Sequence, residues 1–274
     1  MARVSAINYH ETLWSELYPG SRHTIQCLRP AVEAIENAFA LTQRQQQRVV
    51  WRLDGGSGSD EQLTWLIQRG YHVLAKGYSN RRAEALARRV LRWHPYREDA
   101  QFAEVEVPVD YGRPVRIFVK RRTQKGKIVH SYYLSTLRLG HSARYLAFYD
   151  DRGAAEVEQF RSDKSGLNLC ARRKHSFYGQ LAYILLTDLA HNLLADFQHR
   201  GLTDSKLAAY GPKRIVRDLL TFPGRLIFDH DQLVRVELDR RKLFAKELAI
   251  CLNNSCYAVE QAWAKERGCK ACRA

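Results

Sequence analysis

Between Arg48 and Lys76 the chain reads RVVWRLDGGSGSDEQLTWLIQRGYHVLAK, and no other stretch narrows its architecture as much. Arg48 to Leu53 is short, largely apolar and rich in β-formers, the pattern of a buried central strand. It stops at Asp54 and breaks into GGSGS, where glycine permits a tight turn and close approach of the backbone to a ligand. Ser59 or Asp60 then caps a helix with acids in its first turn and Gly70 after its last. Tyr71 to Lys76 reads as a second strand, and Asn80 to Arg92 as a very basic helix. Strand, helix, strand, helix makes an α/β unit. In open α/β sheets ligands sit at the carboxyl ends of strands, which is where Asp54 stands.

The flanking segments extend this pattern. Ala2 to Tyr9 alternates like a strand, and Leu28 to Leu41 has helical apolar spacing at Val32, Ile35, Ala38 and Phe39. From Phe102 to Leu137 three strand-like runs follow with turns at Gly112 and Lys125–Gly126, a β-rich insertion over 102–138. Residues 1–101 and 139–274 are then the two parts of one large α/β domain that this insertion interrupts. Further on come a helix from Tyr149 to Lys164, a long helix from Phe177 to Phe197, a hairpin after Pro223-Gly224 and a last helix from about Arg240 to Ala264.

Charge bears on the partner. The 274 residues carry 44 Lys and Arg against 29 Asp and Glu, a formal net charge of +15. A balance this basic points to a polyanion, most simply nucleic acid. No run of 18 apolar residues occurs, so no membrane span is expected, and the first residues carry no signal-peptide pattern. Six cysteines without an export signal fit reduced thiols and a cytoplasmic location. The late CKAC pair, with Cys251 and Cys256, has only a partial zinc spacing and reads as chance thiols.

Chemistry concentrates in YDDRGAAEVEQFRSDK. Tyr149, Arg152, Glu156, Phe160 and Lys164 recur every three or four residues, one stripe on a helix. A stripe mixing an acid, bases and aromatics is a poor core face and suits the wall of a site for phosphates and metal. The plainer reading is a solvated helix with an Arg152–Glu156 ion pair. Glu158, two residues on, points to nearly the opposite side, so only one of the two acids can face Asp54. Asp54 itself is either a turn residue or a magnesium ligand. Lys120, Arg121 and Arg122, with Lys125 and Lys127, form either a solvated hairpin edge or a phosphate-contact surface. Lys164, Arg172, Arg173 and Lys174 form a second run of cations. His191 and Asn192 read as a satisfied core pair.

These segments together resemble the DDE transposases of bacterial insertion sequences. RLDGGSGSDEQLTWLIQRGYHVLAK is similar to their second-aspartate segment. YDDRGAAEVEQFRSDK resembles their signature of Tyr, Arg, Glu and Lys, matched at Tyr149, Arg152 and Glu156. The lysine falls at Lys164, one place beyond the strict spacing, which lands on Asp163 and keeps Glu158 in play as the acid. RRKHSFYGQLAYILLTDLAHNLLADF resembles the helix that follows. The resemblance implies a ribonuclease H-like mixed sheet flanked by helices and a β-rich insertion before the Glu helix. It further implies two Mg²⁺ or Mn²⁺ ions held by Asp54, Glu156 and a further aspartate, and cleavage and joining of DNA at element ends and target. A homodimer is a further expected partner. No aspartate precedes Asp54, so the expectation is a copy truncated at its N-terminus, inactive or nearly so. The alternatives are a non-catalytic DNA-binding remnant or regulator and a different nuclease of the same fold.

Overall fold

The computed structural model describes residues 1–152, 158–169, 171, 174–203 and 205–253. A hairpin opens the chain, β1 (Ala2–Ala6) and β2 (Glu11–Glu16). Then follow α1 (Leu28–Phe39), α2 (Gln43–Gln46), β3 (Val50–Leu53), α3 (Asp60–Gln68), β4 (His72–Lys76) and α4 (Asn80–Ala87). The strands β5 (His94–Arg97), β6 (Ala100–Val105), β7 (Arg116–Gln124) and β8 (Lys127–Ser135) run without a helix between them. After these come α5 (Ser142–Arg152), α6 (Glu158–Gly166), α7 (Phe177–Gly201), α8 (Pro212–Arg214), β9 (Gly224–Asp229) and β10 (Gln232–Leu238). The chain divides into two compact units, 1–4 with 13–157 and 5–12 with 158–274.

The first unit is a mixed α/β body around a six-stranded sheet in the order β3-β4-β8-β7-β6-β5. β3 and β4 run parallel, and every other neighbouring pair is antiparallel. Side chains alternate across a strand, and here both sets are buried. Trp51, Leu53, Val73, Ala75, Ile117, Val119, Tyr132 and Leu134 face one core with Leu28, Val32 and Ile35 of α1, Leu63, Leu66 and Ile67 of α3, and Leu86 of α4. The intervening Leu74, Phe118 and Tyr133 face a second core with Phe102 and with Tyr145, Leu146 and Tyr149 of α5. The helices start where capping chemistry allows. Ser59 accepts from the Gln62 N–H and Ser79 from the Arg82 N–H, each satisfying a donor that the first turn leaves open.

Several expectations change. β3 is an edge strand of the sheet and not a central one; a short apolar run looks the same in either place. α4 stops at Ala87, and residues expected in its last turn lead instead to β5, whose Pro95 suits an edge. The three strands of 102–138 exist, but β8 pairs with β4, so they are the body of the sheet and no separate insertion. The helix expected over Tyr149–Lys164 is found as α5, beginning at Ser142, and α6; residues 153–157 lie outside the described ones. The last helix begins at 245 and is described to 253.

In the second unit Leu194, Leu202, Leu207, Tyr210, Ile215, Leu219 and Cys251 form the core. Two neighbours on α7 bind the turn of the first hairpin. His191 is 5% exposed. Its Nδ1 lies 2.7 Å from the Asp163 carboxylate and its Nε2 2.6 Å from the His10 carbonyl oxygen. The Asn192 side chain accepts from the Thr12 N–H at 2.8 Å and donates to the Thr12 carbonyl at 2.9 Å, as a neighbouring strand would.

Gly77, at the end of β4, has no room for a side chain. A Cβ there would sit 1.9 Å from the Tyr132 ring, which is itself buried. Gly77→Ala is therefore expected to cost about 3 kcal/mol through overpacking. Gly20→Ala, in open space, should change stability by less than about 0.5 kcal/mol. Urea unfolding of the two variants checks the difference.

Candidate functional site

Asp54 follows directly on β3 and is exposed. Its Oδ1 accepts the Gly56 N–H at 3.0 Å and its carbonyl accepts the Ser57 N–H at 3.2 Å. This is an Asx turn, the local geometry an aspartate favours at a strand end. The loop then presses on β4, since a Cβ on Gly58 would lie 2.0 Å from the Lys76 carbonyl oxygen. α3 follows, with Asp60 bound by Arg82 and accepting from the Tyr111 hydroxyl at 2.6 Å. The Asp54 carboxylate thus stands at the carboxyl ends of the parallel pair β3 and β4.

The end of α5 comes to the same strand. Arg52 on β3 donates to the Phe148 carbonyl at 3.0 Å, and its guanidinium lies 5.1 Å from the Phe148 ring centre. These residues are 96 positions apart. α5 is held on the sheet by two polar anchors. At its start Arg116 takes both Glu104 oxygens, at 2.6 and 2.5 Å, and donates to the Tyr145 hydroxyl at 2.9 Å. The Arg116 guanidinium holds the Glu104 carboxyl below the usual carboxylate range. Near its end the Asp150 carboxylate receives Lys120 at 3.0 Å, the Tyr96 hydroxyl at 3.0 Å and Arg97 at 3.2 Å. Burial, helped by the Asp150 charge, pushes the Tyr96 hydroxyl up to about 12.

The residues read as phosphate contacts divide. Tyr149 is not on an open wall: its ring is 6% exposed and meets Tyr133 edge-on at 4.8 Å. The reason is the helical period, which puts it on one face with Tyr145 and Leu146. Lys120 is likewise no surface cation. It is 9% exposed because it follows Phe118 on the inward side of β7, and it pairs with Asp150 there. Arg121 is half-buried, donates to Gln101 at 2.7 Å and stacks on Trp93 at 4.3 Å. Arg122, Lys125 and Lys127 are exposed at the far end of the β7–β8 hairpin, whose turn takes positive φ at Lys125 and Gly126. In the second unit Lys164 is exposed, with its ammonium 4.5 Å from the Phe160 ring, and Lys174 is exposed as well. Glu156, Arg172 and Arg173 lie outside the described residues, as do the side chains of Arg152 and Glu158.

Asp150 was the residue sequence reasoning missed. The signal for it lay in β7: strand alternation puts Lys120 on the Phe118 side, and a buried lysine requires an acid. Among the described residues no three His, Cys, Asp or Glu side chains converge on a metal position. Asp54 supplies one carboxylate, so the described residues do not by themselves make a two-ion centre. No family model matches the chain, and none of the curated proteins matches it either.

Asp150→Ala leaves the Lys120 ammonium buried without its acid and should cost about 3–5 kcal/mol. The double variant Lys120→Met, Asp150→Leu removes both charges and should recover most of that loss in thermal unfolding. The Glu104 clasp is lost at acid pH. Its folded pKa lies below the unfolded value of 4.5, so its contribution is present above that value and lost as pH falls through the folded one. Stability of Glu104→Gln should therefore fall less than that of the parent protein between about pH 5 and pH 3.

Proposed function

We propose that this chain binds DNA and acts as a transposase of the insertion-sequence DDE class, built on a ribonuclease H-like sheet. The observation that carries the reading is the 3.0 Å hydrogen bond from Arg52 to the Phe148 carbonyl. It brings the two segments that bear the resemblance, the strand ending in Asp54 and the helix carrying Tyr149 to Arg152, to one end of one sheet. Such a meeting is what phosphoryl transfer between distant motifs requires. The mixed six-stranded sheet with helices on both faces is compatible with it.

In this reading Asp54 and Glu156, or Glu158 in its place, hold Mg²⁺ or Mn²⁺, and the ions supply charge neutralisation at the attacked phosphorus. The chain's own contribution is positioning. The Gly56 N–H and the tight Gly58 packing fix the Asp54 carboxylate at the strand end. Arg122, Lys125 and Lys127 hold backbone phosphates without reading sequence, and Arg121 with Trp93 gives a flat cationic surface beside them. Element ends and target DNA are the partners, and the cytoplasm is the compartment this reading implies. A second reading, a DNA-binding regulator without turnover, draws on the turn at Asp54, whose Oδ1 already accepts the Gly56 N–H.

Replacing Arg122, Lys125 and Lys127 together by Gln should weaken duplex binding about equally for all sequences and lower the salt slope by about 2–3. An unchanged slope removes the hairpin from the DNA interface. Asp54→Asn should leave binding affinity within about twofold, because the residue adds no phosphate contact. A nicking assay on element-end DNA with Mg²⁺ or Mn²⁺ separates the two readings. Turnover that Asp54→Asn abolishes supports the transposase; binding without turnover supports the regulator; turnover indifferent to Asp54 refutes the site.

A further inference from the structure

Asp54 is followed by Gly55, the one Asp-Gly step among the 274 residues; no Asn-Gly step occurs. Such a step has its own chemistry. The amide nitrogen of the second residue can attack the side-chain carboxyl of the first. Glycine, having no Cβ, neither crowds that nitrogen nor restricts its approach. Three features of this loop favour the attack. Asp54 is exposed, so water reaches it. Its Asx turn, with Oδ1 on the Gly56 N–H, folds the carboxyl back over the Gly55 peptide, because the ring this bond closes contains both Cγ and the Gly55 nitrogen. Among the described residues nothing accepts the Gly55 N–H, so the nitrogen gives up no hydrogen bond when it attacks.

We propose that Asp54 is a site of spontaneous modification, where its bond to Gly55 isomerises to isoaspartate through a succinimide. The Gly55 nitrogen bonds to Cγ of the protonated carboxyl, the Cγ–OH bond breaks, and the hydroxyl leaves with the nitrogen's proton as water. Water then opens the ring. Attack at Cγ restores aspartate. Attack at the main-chain carbonyl leaves the backbone running through Cγ, one methylene longer, with the carboxylate on Cα. Water is the sole co-reactant.

A second loop supplies the comparison. Asp110 is exposed and makes the same turn, its Oδ1 accepting the Gly112 N–H at 2.8 Å. Its next residue is Tyr111, 1% exposed, with the hydroxyl on Asp60 at 2.6 Å. The nitrogen there belongs to a residue anchored in the core, so the backbone does not swing toward the carboxyl. Gly55 is looser. A Cβ on it would meet nothing beyond its chain neighbours closer than 3.6 Å, so Gly55→Ala fits the loop while crowding the nitrogen. Isomerisation moves the carboxylate off the strand end and breaks its bond to Gly56. The consequence for metal binding rests on the proposed function; the isomerisation itself does not.

The test stores the folded full chain at neutral pH and physiological temperature for several weeks. An isoaspartyl methyltransferase then transfers a labelled methyl group from S-adenosylmethionine to isoaspartate, and fragmentation of the tryptic peptide 53–69 tells Asp54 from Asp60. Label should accumulate at Asp54 and stay at background at Asp60 and Asp110. Gly55→Ala, with an unchanged urea midpoint, should slow labelling at least about tenfold, through the crowding that glycine avoids. Absence of label at Asp54, after a time in which a free peptide of residues 50–58 converts, overturns the inference. So does a Gly55→Ala chain labelled at the parent rate. Asn-Gly takes the same route with loss of ammonia, so stored Asp54→Asn should regain aspartate and isoaspartate at this position. An Asp54→Asn chain that keeps its asparagine overturns the inference whether or not Gly55→Ala folds. Label at Asp54 in a chain that never nicks DNA supports the inference and counts against the transposase reading alone.

Discussion

One half-buried carboxylate governs where β3 and the end of α5 meet. Asp150, near the end of α5, accepts from Lys120, Tyr96 and Arg97. Lys120 is nearly enclosed, and an ammonium in such a place is stable only beside an opposite charge. The pair therefore has one workable arrangement, and α5 takes the position that allows it. Tyr149 enters the aromatic core as a consequence, and the Phe148 carbonyl comes within reach of Arg52 on β3. Remove the electrostatic anchor and the end of α5 rests on the Tyr149 ring packing and the Arg52 contacts with Phe148.

The elements written in local chemistry were legible. The capped helix after Asp54, the strands on either side of it and the three-strand run beyond residue 100 all follow from short-range periodicity and from Ser, Gly and Pro at turns. What could not be read was pairing. Whether β3 is an edge or a centre depends on a partner strand, and whether β6 to β8 form an insertion or a sheet depends on β8 meeting β4 about 60 residues away. Local patterns carry no record of that choice. Tyr149 and Lys120 were misplaced for a related reason. A stripe defined by spacing alone does not say which side of an element faces the core.

The candidate site was legible in part. Asp54 does stand at the carboxyl end of a parallel pair, yet its carboxylate also serves a turn. Both descriptions hold at once, because an Asx turn uses one oxygen. His191 and Asn192 were expected in a satisfied core pair, and each has partners in the structure. Those partners, His10, Thr12 and Asp163, could not have been named, since the first two lie about 180 residues upstream. Partners at both ring nitrogens, the Asp163 carboxylate and the His10 carbonyl, fix how the His191 ring is turned, a demand that composition cannot express.

The two margins of the sheet carry a further consequence. At one margin β3 is only four residues long, with Arg52 in its middle and Asp54 at its end. At the other, β5 contains Pro95, which offers no amide hydrogen, and Arg97. Short length, charge and proline are the devices that keep open strands from templating one another. Sideways growth into ribbons is thus blocked at both borders. Fibre formation through this sheet is therefore disfavoured even in a concentrated solution of the basic protein.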